Sequence, residues 1–367
     1  MKVYIAIDIK GIHANNPFTT ELIRGVQNAG PDVTTGLFRL DQNGYHPDII
    51  HFQWPERIFQ TKPNEADITW LEERLNYFKK STKIAVTVHN EVPHKKDWST
   101  YEKVYGLVYR YADGFVHMGE VSKRLLCERF PNESADKLHV VIPHGNYVVF
   151  GKQADKNHAR KHLNLPNKKG HKVALIVGSV RKVDELKRIK SFARIIYKLN
   201  GTLVFAGDIS LEKPNFTFGK TALKRILSEL KQLVYELRLK NTLGLIFRPG
   251  RIPHPQMALY LSTADAMVIP RGRVLNSGNV ALGFTYGLVV VGPDSGNVGE
   301  VLKSFDNPTF HPDMDESSLQ SAIEDAFALS DQGQGLVNQK IAMSDWSWEK
   351  IGKHHLNFYN NLLKQNS

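Results

Sequence analysis

The sequence predicts an α/β protein built from two doubly wound, Rossmann-like domains. Three observations predict it: short β-branched runs that are apolar almost throughout, helix-period apolar stripes between them, and one polar break that divides the series in two. A parallel sheet covered by helices on both faces produces such continuous runs, whereas a sheet wetted on one face alternates.

In chain order, the first series of strand-like runs is VYIAIDI (3–9), VTTGLF (33–38), DIIHFQW (48–54), KIAVTVH (83–89), GFVHM (114–118) and LHVVIP (138–143). Between them Ile68, Leu71, Leu75 and Phe78 recur at helical spacing, as do Val104, Leu107, Val108 and Tyr111, so each set forms a helix face packed on the sheet. From Gly151 to Gly170 the chain is rich in Lys, Asn, His and Asp, with Pro166 near its end, and reads as a linker. A second series follows: KVALIVG (172–178), TLVFAG (202–207), LGLIFR (243–248), DAMVIP (265–270) and LVVVG (288–292). Two doubly wound units in succession are expected to face a central cleft at the carboxyl ends of their strands, where such folds bind ligands.

Composition bounds the partners. At 367 residues the chain is long for one core and fits two. The N-terminus lacks a signal-peptide pattern, and no apolar run approaches the roughly 20 residues that span a bilayer. Cys127 is the single cysteine, which excludes an internal disulfide and points to a cytoplasmic protein. A net charge of +11 implies an anionic partner. No zinc-finger spacing, RNA-recognition aromatic signature or long Arg-rich tail is present, so nucleic acid is not expected.

The segment IPRGRVLNSGNVALGFTYGLVVVGPDSGNVGE (269–300) joins a strand end to a helix that begins with Asn276, Ser277, Gly278 and Asn279. Free backbone N–H groups at such a start, with a small surface that allows close approach, suit a phosphate group. An ordinary capped helix in an α/β sheet has the same sequence pattern.

DIIHFQWPERI, TVHNEVPH (87–94), VVIPHGNY (140–147) and VLNSGNVALGFTYGLVVVGPDSG (274–296), taken in this order, resemble the GT-B glycosyltransferases of the family 4 type. The likeness is to a bacterial exopolysaccharide and capsule branch that includes β-mannosyltransferase-like members. It extends to DWSWEKIGKHHLNFY (345–359), which resembles the helix that closes this fold on its N-terminal domain. The resemblance implies an acceptor-side domain over 1–150, a nucleotide-sugar-binding domain over 151–344 and a returning helix over 345–367. It implies a hexosyltransferase that uses a UDP- or GDP-sugar and a saccharide or lipid-linked saccharide acceptor in polysaccharide biosynthesis.

Position by position, the resemblance puts His89 against the donor sugar, with His94 as second choice. It puts Arg181 on the donor diphosphate, with Asp184 and Glu185 where a Lys-Gly pair is usual, so Lys182 or Lys187 supplies the second cation. Gly250, Arg251 and Ile252 match the loop that holds the nucleobase. Asn276, Ser277, Gly278 and Asn279 match the phosphate-binding helix start. Two spaced glutamates usual near the donor are replaced by Leu275 and Gly283, which sets this chain apart in its ribose contact and in the usual retaining chemistry.

Transfer needs a stabilised leaving diphosphate, for which helix N–H groups and one or two cations suffice, so no metal or other cofactor is expected. An inverting route adds a base for the acceptor proton. Asp8, His13, His89, His94 and Glu120 are placed for it, Asp8 foremost because it ends the first strand. Asn16, Pro17, Phe18 and Thr19 are expected to line the acceptor side. The segment 94–111 interleaves Lys95, Lys96, Lys103 and Arg110 with Trp98, Tyr101 and Tyr105, which suits peripheral contact with an anionic membrane as well as it suits a helix with one wet and one buried face. Two other readings stand beside a transferase: a non-catalytic nucleotide-sugar-binding subunit, and a GT-B hexosamine epimerase-like enzyme.

Overall fold

The computed structural model describes residues 1–7, 16–38, 46–59, 61–90, 98–211, 232–313 and 315–365. The chain forms two compact units, Met1–Asn146 with Met343–Ser367, and Tyr147–Ala342.

In the first unit the strands are β1 (Lys2–Ala6), β2 (Asp32–Gly36), β3 (Ile49–Phe52), β4 (Lys83–Thr87), β5 (Gly114–His117) and β6 (Leu138–Val141). They pair in parallel in the order β2-β1-β3-β4-β5-β6. β3 and β5 are buried at every residue, as their unbroken apolar runs require. One face of the sheet holds Tyr4, Ile50, Phe52, Ile84 and Val86 against the helices Glu65–Lys79 and Trp98–Tyr111, and the other holds Val3, Ile5 and Ile49 against the helices Pro17–Asn28 and Trp348–Lys364. Those last two helices cross at glycines: a Cβ on Gly352 would stand 2.0 Å from the Gly25 carbonyl oxygen, and one on Gly25 would stand 2.6 Å from that of Trp348. Trp348 Nε1 donates to the Asn146 carbonyl at 2.8 Å and fixes the start of the closing helix.

In the second unit the strands are β7 (Lys172–Val177), β8 (Gly201–Gly207), β9 (Leu245–Pro249), β10 (Ala266–Val268), β11 (Val289–Pro293) and β12 (Thr309–Phe310). They too are parallel, in the order β12-β11-β10-β7-β8-β9. β12 has no counterpart in the sequence reading, because two residues are too short to carry a period. The segment 151–170, read as a linker, instead carries a helix, Lys156–His162, docked on this unit. Arg160 is buried on it, donating to the Thr263 carbonyl at 2.9 Å and to Asp265 Oδ2 at 2.7 Å. Asp265 also accepts from the Val173 backbone at 2.7 Å and from Lys156 at 2.8 Å. Polar composition suggested a wet connection, but a charged side chain enters a core when a buried partner compensates its charge. Among the described residues no helix is long and apolar enough to cross a membrane.

Candidate functional site

In the second unit the candidate residues gather where the parallel strands end. Gly178 follows β7 and Gly207 ends β8, and their backbones pack so closely that a Cβ on Gly207 would lie 1.9 Å from the Gly178 carbonyl oxygen. The loop after β7 is pinned by the Val180 N–H donating to the Asp208 carbonyl and the Ser210 N–H to that of Val180, each at 2.8 Å. That is the setting of Asp208, a strand-end turn. Arg181 follows on this loop, half-buried, and its backbone N–H donates to Glu185 Oε2 at 2.9 Å.

The helix Gly278–Thr285 starts beside the same strand end. Ser277 caps it in extended conformation, its Oγ accepting from the Asn279 N–H at 3.4 Å, and Asn279 Nδ2 donates to the Val177 carbonyl at 3.2 Å. Asn276 Oδ1 accepts from Asn297 Nδ2 at 2.7 Å, which ties the preceding loop to the helix Gly296–Ser304. Gly296 allows that approach: its φ is +57°, and a Cβ there would lie 2.4 Å from the Val274 carbonyl oxygen. Gly283, where a glutamate is usual in the resembling family, is closed by packing, since a Cβ would meet Val290 Cγ2 at 2.4 Å.

Sequence reasoning missed Arg271. It leaves the end of β10, which pairs with β7, and Nε lies 4.0 Å from Glu185 Oε1. Burial lowers its pKa, the Arg181 charge lowers it further, and Glu185 opposes both. Arg271 thus meets the Glu185 carboxylate with its side chain, and Arg181 meets it with its backbone N–H. Arg188, buried behind them, pairs with Asp184 at 2.8 Å and donates to the Pro312 carbonyl at 2.9 Å. The available signal was an arginine directly after a buried strand, but which strand it would neighbour was not visible.

The other donor-side candidates are distributed as follows. Lys182 is exposed at the N-cap of the helix Val183–Lys198. Lys187 is exposed further along it and lines a groove with Lys190, Ser191, Arg194 and Thr242, beside the start of β9. Gly250 follows β9 at φ +102° with open space around a Cβ, Arg251 is exposed, and Ile252 is buried. Burial and then the Arg251 charge lower the pKa of His254 next to this loop.

In the first unit, His89 is buried after β4 in a cage of rings. It stacks on Trp54 at 4.2 Å between ring centres and 19° between planes, and Phe18 meets it edge-on at 5.3 Å and 90°. His89 Nε2 lies 2.9 Å from Gln53 Oε1. Gln53 Nε2 lies 3.2 Å from His51 Nε2, which is also 2.8 Å from Thr87 Oγ1, and His51 Nδ1 lies 2.7 Å from the Tyr359 hydroxyl. His51 is held far below the usual imidazole range by burial and then by His355 and His89. His144 completes the cage 4.7 Å from Phe18, and its Nδ1–H donates to the Gly145 carbonyl at 2.7 Å.

Asn16 caps the helix Pro17–Asn28 through the Phe18 N–H at 3.2 Å, and Pro17 occupies its first turn. Thr19 is buried and its Oγ1 makes no hydrogen bond among the described residues. Glu120 is exposed, 3.8 Å from Lys123. Asp8, His13 and His94 lie outside the described residues. Tyr101 and Tyr105 turn inward, Tyr105 donating to Glu56 at 2.5 Å, and Lys103 and Arg110 pair with Glu65 and Glu72. Among the described residues no three His, Cys, Asp or Glu side chains gather as a metal site.

No protein-family model and no curated protein matches the chain. Solved structures do match over nearly its whole length. HepE of Anabaena in complex with UDP-glucose aligns with a TM-score of 0.67 at 13% identity, covering 98% of this chain and 99% of that one. Sucrose-phosphate synthase of Thermosynechococcus elongatus aligns at 0.65 and 17% identity, covering 98% of each chain. A glycosyltransferase of Rickettsia africae aligns at 0.64 and 12% identity, covering 99% of each. At such identities the likeness shows the fold: two parallel six-stranded sheets in the GT-B architecture.

Proposed function

We propose that this GT-B chain is a glycosyltransferase that moves a hexose from a UDP- or GDP-sugar to a saccharide or lipid-linked saccharide acceptor in bacterial polysaccharide biosynthesis. The observation that carries the reading is the cluster at the strand ends of the second unit. The Arg271 side chain and the Arg181 backbone N–H meet Glu185 there, and the Arg181 charge bears on Arg271, so two guanidinium charges against one carboxylate leave net positive charge in a partly desolvated place that a diphosphate suits. The Ser277-capped helix start adds backbone N–H groups and its dipole. The HepE structures, which hold UDP, UDP with glucose or UDP-glucose in a similar fold, support the choice of nucleotide.

In this reading Arg181, Arg271 and the helix start stabilise charge on the departing diphosphate, with no step that requires a metal. Gly250, Arg251 and Ile252 hold the base. The closed position at Gly283 means that ribose and sugar contacts come from other groups than the usual glutamates. The first unit binds the acceptor, with His89 set against the donor sugar and Asp8 as base if the enzyme inverts. The +11 charge supports an anionic membrane surface as a further partner. With Tyr101 and Tyr105 buried, that contact is electrostatic rather than an insertion of these rings.

Calorimetric titration with UDP, GDP, ADP and their sugars tests the donor site. Arg271→Ala and Arg181→Ala are each expected to weaken nucleotide binding by about 1 to 3 kcal/mol, the scale of a lost charge-assisted bond. Unchanged affinity in folded Arg271→Ala protein removes Arg271 from the site. Binding of a nucleotide sugar with neither hydrolysis nor transfer to any saccharide identifies the non-catalytic subunit instead, and epimerised sugar nucleotide identifies the epimerase. The anomeric configuration of the product, read by NMR, decides whether Asp8 is needed as a base.

A further inference from the structure

Arg271 sits on the segment 270–277, which runs from the end of β10 to the helix Gly278–Thr285 and so links one cation of the cluster to the Ser277 cap. Side chains from elsewhere in the unit hold the backbone of this segment. Ser295 Oγ accepts from the Val274 N–H and donates to the Gly272 carbonyl, each at 3.2 Å, and the Asn297 N–H donates to the Leu275 carbonyl at 2.8 Å. The other hold is Arg188, on the helix Val183–Lys198, which is 4% exposed. Its Nη1 donates to Asp184 Oδ2 at 2.8 Å and to the Pro270 carbonyl at 3.4 Å, and its Nη2 donates to the Pro312 carbonyl at 2.9 Å. Gly272 completes the fit, since a Cβ there would overlap the guanidinium and stand 2.7 Å from the Pro312 carbonyl oxygen. Arg188 therefore grips the residue before Arg271 and packs against the residue after it.

An apolar side chain of similar volume often serves stability as well as a buried ion pair does. What a guanidinium adds is direction, because its donors lie in a rigid planar fork. Here the fork fixes two backbone carbonyls, and one of them, that of Pro270, is bonded to the Arg271 nitrogen. We propose that Arg188 is a positioning residue for the diphosphate: it holds the backbone of 270–272, and Arg271 with it, so that the ligand binds without first ordering this segment. The same geometry gives a role to the two acidic residues that stand where the resembling family has Lys-Gly. Asp184 anchors Arg188, and Glu185 meets Arg271, so each serves an arginine. The proposal rests on the reading of Arg271 as a diphosphate ligand.

Calorimetric titration of UDP and, separately, of inorganic pyrophosphate into single and double variants tests it. Arg188→Lys keeps a charge for Asp184 but loses the fork. It is expected to weaken both ligands about tenfold in the unaltered background and to cause no further loss in Arg271→Ala, because a residue that acts only through Arg271 then has nothing to position. Gly272→Ala changes no charge but displaces the same backbone, and is expected to behave alike. A general weakening of the fold would not cancel in this way. Losses that add to that of Arg271→Ala, or undiminished affinity in both variants, overturn the proposal. If Arg188→Lys does not fold, the Gly272→Ala cycle decides alone. Failure of the underlying reading looks different: UDP then binds the unaltered protein and Arg271→Ala equally, or binds neither, and the positioning role falls with it.

Discussion

Burial holds His144 and His355 at about 4 and His117 at about 3, against an ordinary 6.5, although carbonyls of Gly145 and Ile351 oppose the shift in the first two. Each folded value lies below the unfolded one, so as pH falls the unfolded chain takes up protons before the folded one does. The stability these rings contribute is complete above about pH 6.5 and is lost as pH drops towards about 4. Each ring removes about 1.4 kcal/mol per pH unit across that window. Calorimetric melts taken between these limits should show a steep fall in melting temperature. A level profile would mean that the rings are not buried as neutral groups.

Among the elements, the crossing of the helices Pro17–Asn28 and Trp348–Lys364 is sensitive to a single methyl group. Gly352→Ala places a Cβ against backbone rather than against a movable side chain, so the helices must part. A loss of about 1 to 3 kcal/mol is expected, the usual cost of overpacking. Gly106→Ala is the control, because a Cβ on that helical glycine meets nothing within 4 Å and should be neutral or stabilising. Equal melting temperatures for the two variants would refute the close crossing. The helix Lys156–His162 is the opposite case, an element whose anchor is electrostatic: although burial raises the pKa of Asp265, Lys156, the Val173 N–H and Arg160 together hold it below the usual carboxylate value.

For the molecule as a whole, the +11 charge is a property of the surface and says little about the fold. It predicts that the protein sediments with vesicles containing anionic lipid and is released as salt shortens the reach of its charge. Equal binding to neutral vesicles, or none to either, would remove the membrane from the list of partners. Lys103–Glu65 and Arg110–Glu72 already satisfy part of the basic helix, so the attraction is distributed over the surface rather than focused there.

The sequence by itself determined the class of the protein and the strand ends at which to look. The apolar runs of the inner strands β3, β4, β5, β7, β8, β10 and β11 were legible because burial on both faces imposes them locally, and His89 and the Ser277 helix start were candidates because each lies next to an apolar run. Only the tertiary structure decided what stands beside them. β10 and β7 are neighbours in the sheet though far apart in the chain, and that pairing brings Arg271 to Glu185 and Arg181. The hydrogen bond between His51 and Tyr359 likewise spans 308 positions. Local periodicity records whether a residue is buried and on which face, but the order of strands in a sheet and the return of a distant helix are fixed by packing of whole elements. Arg160 shows the same division: its polar neighbourhood read as solvent, and Asp265, supplied from across the fold, made it core.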